Sequence, residues 1–145
     1  MTVLTRSVFE TEREGEKLGV ALRPGDIVAL YGGLGVGKTA FTRGLALGLG
    51  IEKDITSPTF TIVNEYAGGR IPLFHFDMYR LDSENELFDI GWDDYLERNG
   101  VIVVEWSEKI ISALPHSTII VRIQNLSSEN VNERRIIIEG GAKSC

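Results

Sequence analysis

The run Ile27-Val-Ala-Leu-Tyr-Gly-Gly-Leu-Gly-Val-Gly-Lys-Thr39 carries the architecture in outline. Its first five residues are apolar without interruption, the pattern of a short strand buried on both faces. The chain then enters Gly32-x-x-x-x-Gly37-Lys38-Thr39, and beyond it Phe41, Leu45 and Leu49 recur at four-residue spacing, as one face of a helix requires. A glycine-rich loop between a buried strand and a helix is a phosphate cradle. Gly32, Gly35 and Gly37 let the backbone turn its N–H groups inward and approach an anion closely. The helix beginning at Lys38 aims its positive end at the same point. Lys38 adds a charge suited to β- and γ-phosphates, and the Thr39 hydroxyl is a hard oxygen ligand suited to Mg²⁺. Val36 and Ala40 belong to the same nucleotide-binding segment.

Upstream, Thr11-Glu-Arg-Glu14 has the form of a capping box, with Leu18, Ala21 and Leu22 at helical spacing behind it. A first helix is expected to start there and to end near the turn Arg23-Pro-Gly-Asp26. Gly50 is placed to close the helix that follows the loop. Thr59 to Tyr66 and Ile71 to Asp77 flank Ala67-Gly-Gly-Arg70 and read as a hairpin. Ser83 to Asp89 and Trp92 to Glu97 read as short helices. Val101-Ile-Val-Val104 reads as another buried strand, ended by Glu105, and Ser107 to Leu114 as a helix stopped by Pro115. Thr118 to Ile123 and Arg134 to Glu139 read as two closing strands joined by the polar loop Asn125 to Glu133. This alternation predicts an α/β chain: a three-layer phosphate-loop NTPase fold whose mixed sheet has a parallel core plus antiparallel hairpins. At 145 residues, without a repeat or a linker-like run, one domain over 1–145 is expected.

The composition, 43% hydrophobic and 25% charged, is that of an ordinary globular protein. No apolar run nears the ~20 residues a membrane-spanning helix needs, and the N-terminal residues lack the charged-then-apolar layout of a secretory signal. A cytoplasmic protein without membrane association is expected. The 15 basic and 21 acidic residues give a net charge of −6, a field that repels nucleic-acid backbones, so contact with nucleic acid calls for a local patch or an intermediary. The lone cysteine, Cys145, excludes an internal disulfide framework and a cysteine-based zinc site.

Phosphoryl chemistry needs an acid beside the phosphate loop, at the end of a neighbouring buried strand. Glu105 follows the all-apolar Val101 to Val104, whereas Asp77 follows Leu73-Phe-His-Phe76, with bulkier residues and one polar one. Glu105 therefore takes the metal role, leaving Asp77 to orient water or hold a sensor loop. His75 reads as a half-buried strand residue with one satisfied nitrogen. The chain has no Asn-Lys-x-Asp stretch to read guanine and no Leu-Ser-Gly-Gly signature, so ATP is the favoured nucleotide.

Gly35-Val-Gly-Lys-Thr39, Thr56-Ser-Pro-Thr-Phe-Thr61, His75-Phe-Asp-Met-Tyr-Arg-Leu81 and Glu105-Trp-Ser-Glu-Lys109 follow in the order and at the spacing of the TsaE (YjeE) family. The resemblance covers nearly the whole chain. It implies an ATPase of tRNA threonylcarbamoyladenosine synthesis, using ATP and Mg²⁺ and working with the TsaB and TsaD proteins. It also implies a functional link to the TsaC-type enzyme that makes the threonylcarbamoyl adenylate. The pathway modifies the adenosine beside the anticodon in tRNAs that read codons beginning with A. On this resemblance the ATP cycle resets or releases the partner complex and does not transfer the carbamoyl group. tRNA is met only indirectly, and no small-molecule acceptor is expected.

Carried over by position, Lys38 and Thr39 bind phosphate and Mg²⁺, Glu105 shares the metal site with Thr39, and Asp77 stands with Lys38 and Glu105 as a catalytic residue. Thr56 to Thr61, with Ser57 and Thr59, resembles a switch loop, and Tyr79, Arg80 and Trp106 resemble switch or partner-contact residues. Gly33 departs from the family, which usually has an acidic residue there. A small-molecule kinase and a nucleotide-dependent binding module are the alternatives. The arginine-rich lid of such a kinase is not evident, since Arg122, Arg134 and Arg135 fall in the closing strands.

Overall fold

The computed structural model describes residues 1–32, 37–58, 61–79, 81, 84–106, 114–126 and 132–140. The chain opens with a strand the sequence did not announce, β1 (Thr2–Thr5), of which only Thr5 is buried. Its inward side chains are the half-buried Val3 and the polar Thr5, with Thr2 and Leu4 exposed, so the burial alternates without any apolar–polar alternation to read in the sequence. Helix α1 (Val8–Ala21) then starts one turn earlier than expected. Ser7 Oγ accepts from the Glu10 N–H at 3.0 Å, and the Glu10 carboxylate accepts from the Arg6 N–H at 3.1 Å. Ser7-Val-Phe-Glu10 thus supplies the cap that Thr11-Glu-Arg-Glu14 was expected to supply. Thr11 lies inside the helix instead, its buried hydroxyl 2.7 Å from that of Thr5.

Strand β2 (Ile27–Tyr31) and helix α2 (Lys38–Gly48) flank the phosphate loop as expected. Gly50, at φ +83°, closes α2 by donating its N–H to Leu47 O at 2.9 Å. The hairpin is β3 (Val63–Tyr66) and β4 (Leu73–Asp77), antiparallel, with Asn64 opposite His75. Strand β3 is shorter than expected because the chain turns first: the N–H groups of Thr61 and Ile62 both donate to Pro58 O, at 3.1 and 2.7 Å. Helices α3 (Glu84–Asp89) and α4 (Trp92–Glu97) precede β5 (Val101–Glu105), and β6 (Ile119–Asn125) and β7 (Arg134–Gly140) close the chain. The helix expected over Ser107 to Leu114 falls, up to residue 113, outside the described residues.

All seven strands join one sheet in the order β1-β7-β6-β2-β5-β4-β3. Strands β6, β2, β5 and β4 are parallel neighbours, whereas β3, β7 and β1 add antiparallel pairings at the flanks, the mixed sheet expected. One core lies between the sheet and α2, where Leu30, Phe41, Leu45, Leu73, Val103 and Val121 are fully buried. A second lies on the opposite face, where Phe76 meets Trp92 and Tyr95 edge-on at 5.2 and 5.0 Å.

At their glycine positions, helices α1 and α2 approach backbone to backbone. A methyl group on Gly44 would overlap the Glu12 carbonyl, one on Gly15 the Phe41 carbonyl, and one on Gly48 the Glu16 carbonyl. Gly15-x-x-x-Gly19 and Gly44-x-x-x-Gly48 therefore form a backbone-to-backbone seam that fixes α1 against the helix carrying Lys38. Arg70 secures the far end of α1, donating to Gly19 O, which also accepts the Leu22 N–H at 3.3 Å, and to Leu22 O, at 2.9 and 3.0 Å.

Candidate functional site

The parallel strands all end at one edge of the sheet, where ligands bind in open α/β folds. Tyr31 ends β2, Asp77 ends β4 and Glu105 ends β5, with Asp77 and Glu105 directly paired in register. Gly37 caps α2 at this edge in the left-handed region, φ +102°, which a side chain would strain. Its Cβ position would lie 3.6 Å from Thr11 Cγ2 and 4.0 Å from Arg134 Nε, so α1 and β7 both border the loop. Gly32, at the end of β2, and Ala40, buried in the first turn of α2, frame the loop; Gly33, Gly35 and Val36 lie outside the described residues.

Side chains two apart on a strand share a face. His75, Asp77 and Glu105 accordingly stand on the side of Val103, towards α2. Lys38, buried in the first turn of α2, brings its Nζ to 3.7 Å from Glu105 Oε1. The other Glu105 oxygen, Oε2, lies 2.5 Å from His75 Nε2. His75 has no exposed surface at all; it is fully buried rather than half-buried, because β4 is covered on both faces, and one nitrogen is satisfied as expected. Its Nδ1 has no hydrogen-bond partner among the described residues.

Lys38 Nζ is also buried, and among the described residues it has no hydrogen-bond acceptor. It sits 4.1 Å from the centroid of the Trp106 ring, a cation–π contact. Trp106 itself adopts φ +58°, an outlier for so bulky a residue and a form of strain found at functional sites. Its ring leans on Tyr79 at 5.1 Å, and Tyr79 is more than half exposed. Asp77 Oδ1 accepts from the Tyr79 N–H at 2.9 Å, while the Asp77 N–H donates to Ile62 O at 2.8 Å. Asp77 thereby joins the turn after Pro58 to the Tyr79 segment.

The structure thus brings Lys38, Asp77, Glu105, Tyr79 and Trp106 together, with Thr39 half-buried beside Lys38. Ser57 is exposed on a loop tied to β3, where the Thr56 N–H donates to Tyr66 Oη at 3.2 Å; Thr59 and Arg80 lie outside the described residues. Reading along the chain missed Thr11 and Arg134 as neighbours of the loop, and the link from His75 to Glu105. Those proximities come from the folding of α1, β7 and β4, and no local pattern signals them.

The chemistry offered is anion binding. A buried donor without an acceptor costs about 1–3 kcal/mol, more when charged, and phosphate oxygens are the acceptors an ammonium at a helix N-terminus suits best. The acids and the Thr39 hydroxyl are hard oxygen donors that fit Mg²⁺. Among the described residues no three His, Cys, Asp or Glu side chains converge as a complete metal cage.

A family model described as "Threonylcarbamoyl adenosine biosynthesis protein TsaE" matches residues 5–136. The chain belongs to the TsaE family. It is 45% identical to the tRNA threonylcarbamoyladenosine biosynthesis protein TsaE of Treponema pallidum over 90% of this chain and 96% of that one. Its identity to the Bacillus subtilis TsaE protein is 42%, over 83% and 75% of the two chains. The crystal structure of Bacillus subtilis YdiB superposes with a TM-score of 0.83 at 34% identity, covering 99% of this chain and 88% of that one. This TsaE-family chain accordingly serves tRNA threonylcarbamoyladenosine biosynthesis. Among the described residues no helix is long and apolar enough to cross a membrane.

Proposed function

We propose that this TsaE-family chain is a Mg²⁺-dependent ATPase whose hydrolysis resets or releases a TsaB–TsaD assembly in the cytoplasm, linked in function to the TsaC-type enzyme. The carbamoyl transfer itself belongs to the partners, and tRNA is reached through them. The observation that carries the ATP-binding part is the buried Lys38 ammonium at the N-terminus of α2, 3.7 Å from Glu105 and without a hydrogen-bond acceptor among the described residues. Lys38 with the N–H groups of the loop holds the phosphates, and Thr39 and Glu105 hold Mg²⁺. When bound, the cation neutralises charge on the phosphates and aligns them. Asp77 holds the Tyr79 segment and the turn at Ile62, coupling the strand ends to the loop that bears Ser57 and Thr59. Tyr79 and Trp106 then form the part of the site that partners meet, a role that the sequence pattern also gives to Arg80.

Release of terminally labelled phosphate from ATP tests this. Label appearing in water, faster with TsaB and TsaD than without, is the expected result. Label on a metabolite makes the chain a kinase, and no release under either condition makes it a nucleotide-dependent binding module.

A further inference from the structure

His75 occupies the middle of β4 among Leu73, Phe74 and Phe76, all buried, where an apolar side chain would fill the space without a polar atom. The imidazole meets Glu105 Oε2 through Nε2, and among the described residues it meets nothing through Nδ1. A carboxylate is an acceptor, so the contact needs a proton on Nε2. The hydrogen-bond network thereby assigns the Nε2–H tautomer. One Glu105 oxygen is tied to the sheet beneath it, and the other, Oε1, faces Lys38. The backbone of the same residue is fixed as well, since Glu105 O accepts from the Met78 N–H at 3.0 Å.

We propose that His75 is a positioning residue of the nucleotide site: its Nε2–H locks the Glu105 carboxylate so that a single oxygen is presented to the phosphate-bound cation. This rests on the ATPase reading above and extends it to a residue below the site surface. Without the imidazole the Glu105 carboxylate is free to rotate, and both oxygens turn towards Lys38. The ammonium is then engaged by protein, and the cation loses an oriented ligand. Partners of this kind behind a metal ligand typically change metal affinity by roughly 10–100-fold when removed.

Three substitutions separate positioning from packing. In His75→Gln the side-chain amide nitrogen reaches about where Nε2 stands, so the donor is kept. In His75→Asn it falls about where Nδ1 stands, and in His75→Leu it is gone. ATP affinity measured calorimetrically in EDTA should stay within about twofold of wild type in all three. The Mg²⁺ concentration that half-saturates the ATP-bound protein should rise roughly tenfold or more in His75→Asn and His75→Leu, and stay near wild type in His75→Gln. Nitrogen chemical shifts of the imidazole in the metal-free wild type should show Nε2 protonated and Nδ1 bare, a readout independent of whether any variant folds. An Nδ1–H tautomer, an unchanged Mg²⁺ requirement in all variants, or His75→Gln behaving as His75→Asn each overturns the role of His75. Wild-type protein that binds no ATP in EDTA or with Mg²⁺ overturns the ATPase reading instead.

Discussion

At the scale of single residues the site is a charge arrangement that asks for an anion. Lys38 and Glu105 are both buried, yet 3.7 Å apart without a hydrogen bond, so the pair recovers only part of its desolvation cost. Three ammonium protons remain for phosphate oxygens. Lys38→Ala should therefore weaken ATP binding by roughly 10- to 150-fold, the loss of one charge-assisted bond of about 1.5–3 kcal/mol, and more if two are lost. A calorimetric titration that finds unchanged affinity would place the phosphates elsewhere. That Lys38 and Glu105 would meet at one edge of the sheet could be read from the sequence, because a strand, a glycine loop and an acid at a strand end are local patterns. The pairing of His75 with Glu105 could not be, since it depends on the β4–β5 register that sets Asp77 opposite Glu105. Arg134 beside Gly37 is hidden for the same reason: β7 returns antiparallel to β6 and delivers its first residue to the loop.

At the scale of elements, the α1–α2 seam shows how local propensity can mislead. A helical glycine reads as a weak point, costing roughly 1 kcal/mol against alanine. Here Gly15, Gly19, Gly44 and Gly48 let two backbones touch, and that contact fixes α1 beside the helix carrying Lys38. Gly44→Ala should thus destabilise, by about 3 kcal/mol or more from overpacking against the Glu12 carbonyl, despite its better helix propensity. A thermal unfolding midpoint equal to or above wild type would show that the helices separate freely. The hairpin and α4 offer an electrostatic counterpart. Arg98 donates to Glu65 at 2.8 Å and Tyr95 Oη donates to it at 2.7 Å, which holds the Glu65 carboxyl below its ordinary value of 4.5, Arg98 being the larger cause. A lowered carboxylate contributes stability that is present above pH 4.5 and is lost as pH falls through the folded value. Glu65→Gln should accordingly lower the unfolding midpoint slightly at pH 7 and leave it unchanged at pH 2–3, the effect being small because both charged side chains are nearly half exposed. A deficit that persists at low pH would assign Glu65 a packing role instead. None of this pairing is visible in sequence, because α4 faces β3 only after the sheet has formed.

At the scale of the whole molecule, a protein of tRNA modification would be expected to grip tRNA, and the charge distribution opposes it. Binding a phosphate backbone requires clustered Lys and Arg that displace counterions, and the net charge here is −6. The fold commits much of the basic complement elsewhere. Lys17 pairs with Glu14, Arg43 with Glu12 and Arg98 with Glu65, while Arg70 caps the carbonyls of α1. Arg122 lies 4.8 Å from the ring centroid of Tyr31 and Lys38 is buried, so neither contributes to an open basic stripe. The one adjacent basic pair, Arg134-Arg135, starts β7, with Arg134 next to Gly37 and directed to the same small site. Non-specific nucleic-acid binding at physiological salt typically has a Kd of about 10⁻⁴–10⁻⁶ M even for basic proteins, so the isolated chain should fall at or beyond the weak end. Fluorescence anisotropy of labelled tRNA titrated with purified protein should show no saturation at micromolar concentrations, with and without ATP. Micromolar binding with a steep salt dependence would mean that the folded surface gathers a basic patch after all, and that tRNA meets this chain directly rather than through its partners.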